Sequence, residues 1–155
     1  MSKPPEEKAV ELAYRAIARR DKTVAEVRAF LEAREVEPQA IGHALGELGQ
    51  AGFLDDGRFA ERFAEDKRLI GRWGRERIER ELIRRGVPCE LAEAAAGSQG
   101  NETELEAAVA LLADKLAPPE GDRERDKAWR LLVRKGYEPE VAYEAVRAHE
   151  RREAA

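Results

Sequence analysis

The sequence predicts an all-α protein: three tandem three-helix repeats forming an elongated, curved helical array. Three observations predict it. Apolar residues recur at three- and four-residue intervals along most of the 155-residue chain, the spacing of one helix face. No stretch alternates apolar and polar residues at period two, and no Asn-Gly or Asp-Gly turn is flanked by β-branched runs. One segment recurs three times at offsets of 51 and 50 residues: VRAFLEAREVEPQAIGHAL from Val27, IERELIRRGVPCELAEAAA from Ile78 and AWRLLVRKGYEPEVAYEAV from Ala128.

The repeats divide the chain into residues 1–54, 55–100 and 101–155. In the first, Val10, Ala13, Tyr14 and Ile17 mark an opening amphipathic helix; in the second, Phe59, Ala60 and Phe63, followed by Leu69 and Ile70, do the same. The third opens with Leu105, Ala108, Val109, Leu112 and Leu116. The matched middle helices align Leu31, Leu82 and Leu132, then Arg34, Arg85 and Lys135, then Glu35, Gly86 and Gly136. Gly86 and Gly136 are expected to end their helices in the left-handed conformation, and Pro38, Pro88 and Pro139 to start the third helix of each unit. Glu35 stands where the glycine is missing, so the first cap is expected to be built differently. GSQGN (residues 97–101) and APPEGD (residues 117–122) are the loose junctions. In the middle helix Ile78 and Leu82 share one face, while Glu76 and Arg80, Arg77 and Glu81, and Glu81 and Arg85 are spaced to pair. Each such pair stabilises an isolated helix by about 0.2–0.5 kcal/mol, against roughly 1.5–3 kcal/mol for burying Leu82.

Composition narrows the function. The lone Cys89 permits no internal disulfide, which points to the cytoplasm. The amino terminus runs into an amphipathic pattern and does not resemble a secretion signal. The most apolar run, around Ala107 to Leu112, is stopped by Asp114 and Lys115, so no membrane span is expected. The net charge of -4 argues against a protein that coats nucleic acid, yet residues 58–85 carry 10 basic against 6 acidic side chains.

Catalytic chemistry is not written into the chain. There is no phosphate-cradling glycine loop. His43 and His149 sit in third helices, where a surface or boundary role outweighs metal ligation. Cys89 beside Pro88 is expected to pack or cap. Asp55 and Asp56 precede a helix and are expected to cap its free amides more than to form a carboxylate pair. No enzyme activity, metal or cofactor is expected.

The segment LDDGRFAERFAEDKRLIGRWGRERIERELIRRGV, from Leu54 to Val87, closely resembles the signature region of the RecX family of recombination regulators. Asp55, Asp56, Phe59, Ala60, Phe63, Arg68, Gly74, Arg77, Ile78, Glu81, Leu82, Gly86 and Val87 fill the signature places. Arg72 stands where the family usually has the first glycine of a turn, and Arg75 where it usually has proline; Trp73 keeps the aromatic position between them. The family's three tandem three-helix repeats match the organisation read above.

That resemblance implies a regulator of the RecA recombinase that binds the RecA filament on single-stranded DNA and suppresses recombinase, ATPase and coprotease activities in DNA repair and the SOS response. The partners implied are the RecA filament and, through it, single-stranded DNA; the chain is expected to act as a monomer. The candidate contact residues are the outward arginines of the middle unit, Arg68, Arg72, Arg75, Arg77, Arg80, Arg84 and Arg85, suited to carboxylates and phosphates, with Trp73 as an anchor or a core plug. Two other readings stay open: a helix-turn-helix-like DNA-binding protein and a helical adaptor for another protein.

Overall fold

The structure, a computed structural model, describes residues 2–153; Met1, Ala154 and Ala155, at the outer ends of the first and third repeats, lie outside the described residues. Among the described residues nine α-helices follow in order: α1 (Pro5–Arg19), α2 (Val24–Ala33), α3 (Pro38–Gln50), α4 (Asp56–Asp66), α5 (Arg75–Arg84), α6 (Cys89–Ala96), α7 (Gly100–Lys115), α8 (Asp122–Lys135) and α9 (Pro139–Glu153). Among the described residues there is no strand. A π-helical turn, Lys67–Gly71, continues α4.

Each group of three helices encloses its own apolar cluster. Ala13, Val27, Leu31, Ile41, Ala44 and Leu48 fill the first; Ala60, Ala64, Ile78, Leu82 and Ala92 the second; Ala108, Leu112, Leu132, Tyr137 and Ala145 the third. The matched leucines Leu31, Leu82 and Leu132 are all fully buried. Because one cluster is largely alanine and leucine, the helices approach closely with few aromatic rings between them.

The second helix of every unit ends in the same Schellman cap. The amides of Val36, Val87 and Tyr137 donate to the carbonyls of Leu31, Leu82 and Leu132 at 3.2, 3.0 and 3.1 Å. Gly86 and Gly136 are left-handed, at φ of 91° and 101°. Glu35 is left-handed too, at φ 59°. The first cap is therefore built like the others and not differently, with an L-residue held in a conformation that glycine adopts without strain.

The reason glycine is needed at two sites and dispensable at the third lies between the units. A Cβ on Gly86 would overlap the Cβ of Ala25 at the start of α2, and one on Gly136 would lie 2.7 Å from the Arg77 amide nitrogen near the start of α5. Each unit thus seats the amino end of its second helix against the carboxyl cap of the next unit's second helix. Glu35 caps the end on which no further unit sits and is exposed, so its side chain has room.

Two expectations from the middle unit need correction. Ile70 lies eleven residues after Phe59, a spacing that returns to the same face of a straight α-helix. The π-turn inserts an extra residue, and Leu69 and Ile70 are instead 73% and 84% exposed. The expected ion pairs are also redistributed: Glu81 pairs with Arg84, and Arg85 pairs with Glu26 of the first unit.

A candidate partner-binding surface at the joint of the first two units

Between the first and second units runs an open groove of about 500 Å³, lined by Arg20, Glu26, Phe63, Lys67, Trp73, Arg84 and Arg85 among others. Two aromatic rings line it, Phe63 and Trp73, which meet edge-on at 6.1 Å, and Phe59, outside the groove, stacks on Phe63 with ring centres 6.1 Å apart. Cations cover these rings: Lys67 Nζ lies 4.8 Å from the Trp73 ring centre, the Arg77 guanidinium 4.0 Å, and the Arg85 guanidinium 4.6 Å from that of Phe59. Half-buried Trp73 packs against the second core and also lines the groove.

The predicted arginines divide between fastening the fold and facing outward. Arg68 turns inward and donates to the carbonyls of Ala95 and Ala96 at the end of α6, satisfying helix-end acceptors. Arg85 also turns inward, donating from Nε and Nη2 to the two carboxylate oxygens of Glu26 at 3.1 and 2.8 Å. The expectation that both are outward contact residues is corrected. Arg72 pairs with Asp114 on α7 at 2.6 Å. Arg75 offers its backbone amide to Glu104 at 3.4 Å and rests its guanidinium against Gly97. Arg77 donates to the Arg134 carbonyl at 3.4 Å. Arg80 is exposed, and Arg84, bound only to Glu81 of its own helix, keeps 69% of its side chain in solvent. Arg80 and Arg84 are thus the two that remain presented outward.

Several residues that shape this surface were not singled out by sequence. Thr23 and Glu26 form a capping box on α2, and the Thr23 hydroxyl also donates to the Arg85 carbonyl at 2.7 Å. The spacing Thr-x-x-Glu before an apolar run was its legible signal. Burial pulls the Glu26 carboxyl upward, but the Arg85 hydrogen bonds, the Thr23 amide and nearby arginine charges outweigh it and hold it below the ordinary carboxylate range. Asp55 caps α4 through the Arg58 amide at 3.0 Å, as expected. Asp56 does something else: its carboxylate accepts from the Val24 amide at 2.9 Å and so caps α2 across the joint. Burial pushes the Asp56 carboxyl up from its ordinary value.

On the other side of the middle unit, the buried carboxylate of Glu104 faces Arg68, Arg75, Tyr137 and Glu138, and burial pushes it up. Its place one helical turn before Ala108, on the apolar face of α7, was the signal. The Tyr137 phenol is pushed up to about 12, by burial first and by Glu104 second. It therefore stays protonated and donates to the Arg72 carbonyl at 3.2 Å.

Of the histidines, His43 lies on the surface between Glu6 and Glu47. His149 is buried, with Nε2 3.0 Å from the Leu116 carbonyl. Cys89 is exposed. Among the described residues no group of three His, Cys, Asp or Glu side chains is placed to hold a metal ion, and no helix is long and apolar enough to cross a membrane.

Residues 55–95 match the family model for RecX, second three-helix domain. The regulatory protein RecX of Amycolatopsis mediterranei (strain U-32) is 32% identical over 150 residues, covering 93% of this chain and 86% of that protein. The chain belongs to the RecX family. The RecX of Chromohalobacter salexigens is 34% identical over 134 residues, covering 86% of this chain and 88% of its own length. The crystal structure of RecX from Lactobacillus salivarius superposes with a TM-score of 0.85 at 18% identity, covering 94% of this chain and 97% of that one. This is an all-α helical repeat array from a family of regulatory proteins. The RecX signature, seen in place, is largely a set of fasteners: Asp55, Asp56, Arg68 and Gly86 each close a helix end or a joint between units. Arg72, which replaces the usual RecX glycine, is left-handed at φ 56°.

Proposed function

We propose that this chain regulates a RecA recombinase by lying along the RecA filament on single-stranded DNA and suppressing strand exchange, ATP hydrolysis and coprotease action. The observation that carries the reading is the joint between the first two units, where an open groove holds the Phe63 and Trp73 rings and four cations, Arg20, Lys67, Arg84 and Arg85, against the carboxylates of Glu26 and Glu81, with Arg80 exposed on the same helix as Arg84. Stacked units suit such a role, because a body that touches a polymer at several places gains avidity through effective concentration. It shifts the filament only by binding one of its states better than another. No bond in any partner has to be made or broken.

Titration of the chain into RecA-driven ATP hydrolysis on single-stranded DNA tests the proposal. Hydrolysis is expected to fall as the chain saturates the filament, and Arg80→Glu with Arg84→Glu is expected to abolish the effect with little change in melting, since exposed charges contribute little to stability. Arg77 is not suited to this test, because it is packed into the joint with the third unit. Equal affinity for naked duplex and for filaments at ~150 mM salt would instead leave a DNA-binding protein.

A further inference from the structure

The signature turn carries two large apolar side chains that the fold does not use. Leu69 is 73% and Ile70 84% exposed, the two most exposed large hydrophobic residues described. They are adjacent, unlike the scattered Ile83 and Leu91, which are about 40% exposed and unremarkable for a protein surface. The backbone beneath them is held on every side. Arg68, just before them, is fastened to the Ala95 carbonyl at 2.9 Å. The Gly71 carbonyl, just after them, accepts from Lys135 Nζ at 2.9 Å. Arg72 is held in the left-handed region while its carbonyl accepts from Tyr137 and its guanidinium pairs with Asp114. A π-turn and a strained arginine are thus kept in place by α6 and the third unit, and the outcome is a rigid presentation of Leu69 and Ile70 to solvent. Such preorganisation removes most of the ordering cost of binding.

The surroundings select the occupant. The turn begins at Lys67 and is followed by Trp73, both of which line the groove that also holds Arg20 and Arg84. Aliphatic side chains donate no hydrogen bond to phosphates or base edges, which argues against a nucleic-acid backbone as their partner. Two copies of this chain meeting face to face through the turn would bring together two grooves that each carry Arg20, Lys67, Arg84 and Arg85 against only Glu26 and Glu81, a net positive face on both sides. A stable pair also buries about 1,200 Å² or more, far beyond what two side chains supply. The fit is to a large protein surface that offers an apolar socket beside carboxylates.

We propose that Leu69 and Ile70 form the apolar anchor by which the chain seats on a protomer of the recombinase filament, in an apolar socket bordered by carboxylates that face Lys67 and Arg84; this rests on the function proposed above. In this arrangement the apolar pair sets residence time and the neighbouring cations set encounter and salt dependence.

The test is equilibrium binding of the full chain, labelled at the exposed Cys89, to RecA filaments assembled on single-stranded DNA. Leu69→Ser with Ile70→Ser is expected to weaken binding at least tenfold, with unchanged melting temperature and an unchanged salt slope. Leu69→Met with Ile70→Leu is expected to stay within threefold of the native chain. Tyr143→Ser, which removes an exposed apolar ring from the third unit, is expected to leave binding unaltered. Native binding with an equally tight double-serine variant would overturn the anchor and leave the proposed function standing; no binding by the native chain would remove both. An equal loss on bare single strands would assign the pair to nucleic acid, and a loss confined to self-association in sedimentation would assign it to a second copy. Either result overturns the proposal.

Discussion

At the first joint, the amino end of α2 meets the carboxyl cap of α5 largely through side chains. Glu26 grips Arg85, the Thr23 hydroxyl donates to the Arg85 carbonyl, and Asp56 caps Val24. At the second joint, the amino end of α5 meets the carboxyl cap of α8 largely through backbone. The Gly74 amide donates to the Lys135 carbonyl at 2.8 Å and the Glu76 amide to the Gly136 carbonyl at 2.9 Å. The same docking of one helix start on one helix end is therefore made by charge at one place and by close backbone approach at the other. The first joint borders an open groove; the second is tight enough that Gly74 and Gly136 face one another. One consequence is that the two joints respond to different perturbations.

The largest expected effect lies at the backbone joint. A Cβ on Gly74 would sit 2.5 Å from the Gly136 carbonyl carbon and the Tyr137 nitrogen, and a Cβ on Gly136 would meet the backbone of Arg77. Gly136→Ala forces a left-handed L-residue and presses its Cβ to 2.7 Å from the Arg77 backbone nitrogen, so it is expected to cost about 3 kcal/mol or more in urea unfolding. Gly86→Ala at the first joint carries the same left-handed strain but meets only the methyl of Ala25 at close range, and is expected to cost about 2 kcal/mol. Adding Ala25→Gly should recover part of that second loss, a non-additivity measurable by a double-mutant cycle. At the second joint Arg77→Gly would remove the Arg77 Cβ but leave the Arg77 backbone nitrogen 2.7 Å from the new methyl, so the rescue of Gly136→Ala should be smaller. Equal costs and equal rescue would show that the joints do not differ as described.

Next comes the charged clamp. Arg85→Met leaves the half-buried Glu26 without its main partner and is expected to cost about 2 kcal/mol, less than a deeply buried pair because both groups retain some solvent. The loss should shrink in high salt, whereas the cost of Gly136→Ala should not. Unfolding of both variants across a salt series decides this.

Acid should act on the joints in opposite directions. Glu26 is held below its ordinary value of 4.5, so the stability it contributes is present above that pH and is lost as pH falls through its lower folded-state value. Glu104, beside the second joint, is pushed above 4.5 by burial. It therefore costs stability at neutral pH, and the cost is relieved as pH falls through its raised folded-state value and is gone below about 4.5. Glu104→Gln is expected to stabilise the protein at pH 7, with the advantage vanishing towards pH 4.5. Glu26→Gln is expected to destabilise it at pH 7, with the penalty disappearing at lower pH. Unfolding free energies of the two variants between pH 7 and 2 test the signs.

These contrasts also mark what was legible in the sequence. Periodicity and the 51- and 50-residue offsets revealed the helices and their repetition, because burial of Leu31, Leu82 and Leu132 is a local matter of helix faces. The roles of the arginines were not legible, because whether Arg68 points to solvent or to the end of α6 depends on a residue nearly thirty positions away. Leu69 and Ile70 were misjudged for a related reason. Their spacing fits a continuous α-helix, and nothing in a period-3.6 pattern announces one inserted residue. The cap at Glu35 is not legible either, because glycine at Gly86 and Gly136 answers to the neighbouring unit as much as to the cap, and sequence alone does not separate the two.

That last distinction gives the smallest and most discriminating expectation. At Glu35 no helix start seats on the cap, so Glu35→Gly relieves the left-handed strain without creating or removing a joint. The relief, about 1–2 kcal/mol for an L-residue in this region, is offset by the greater freedom of glycine in the unfolded chain, about 0.4–1 kcal/mol. The net expectation is a stabilisation of about 0.5 kcal/mol, a small rise in the urea midpoint with no change in slope. If Glu35→Gly instead destabilised the chain by more than about 1 kcal/mol, the Glu35 side chain would be making a contact of its own. The cap of the first unit would then differ from the other two in substance, and not only in lacking a neighbour.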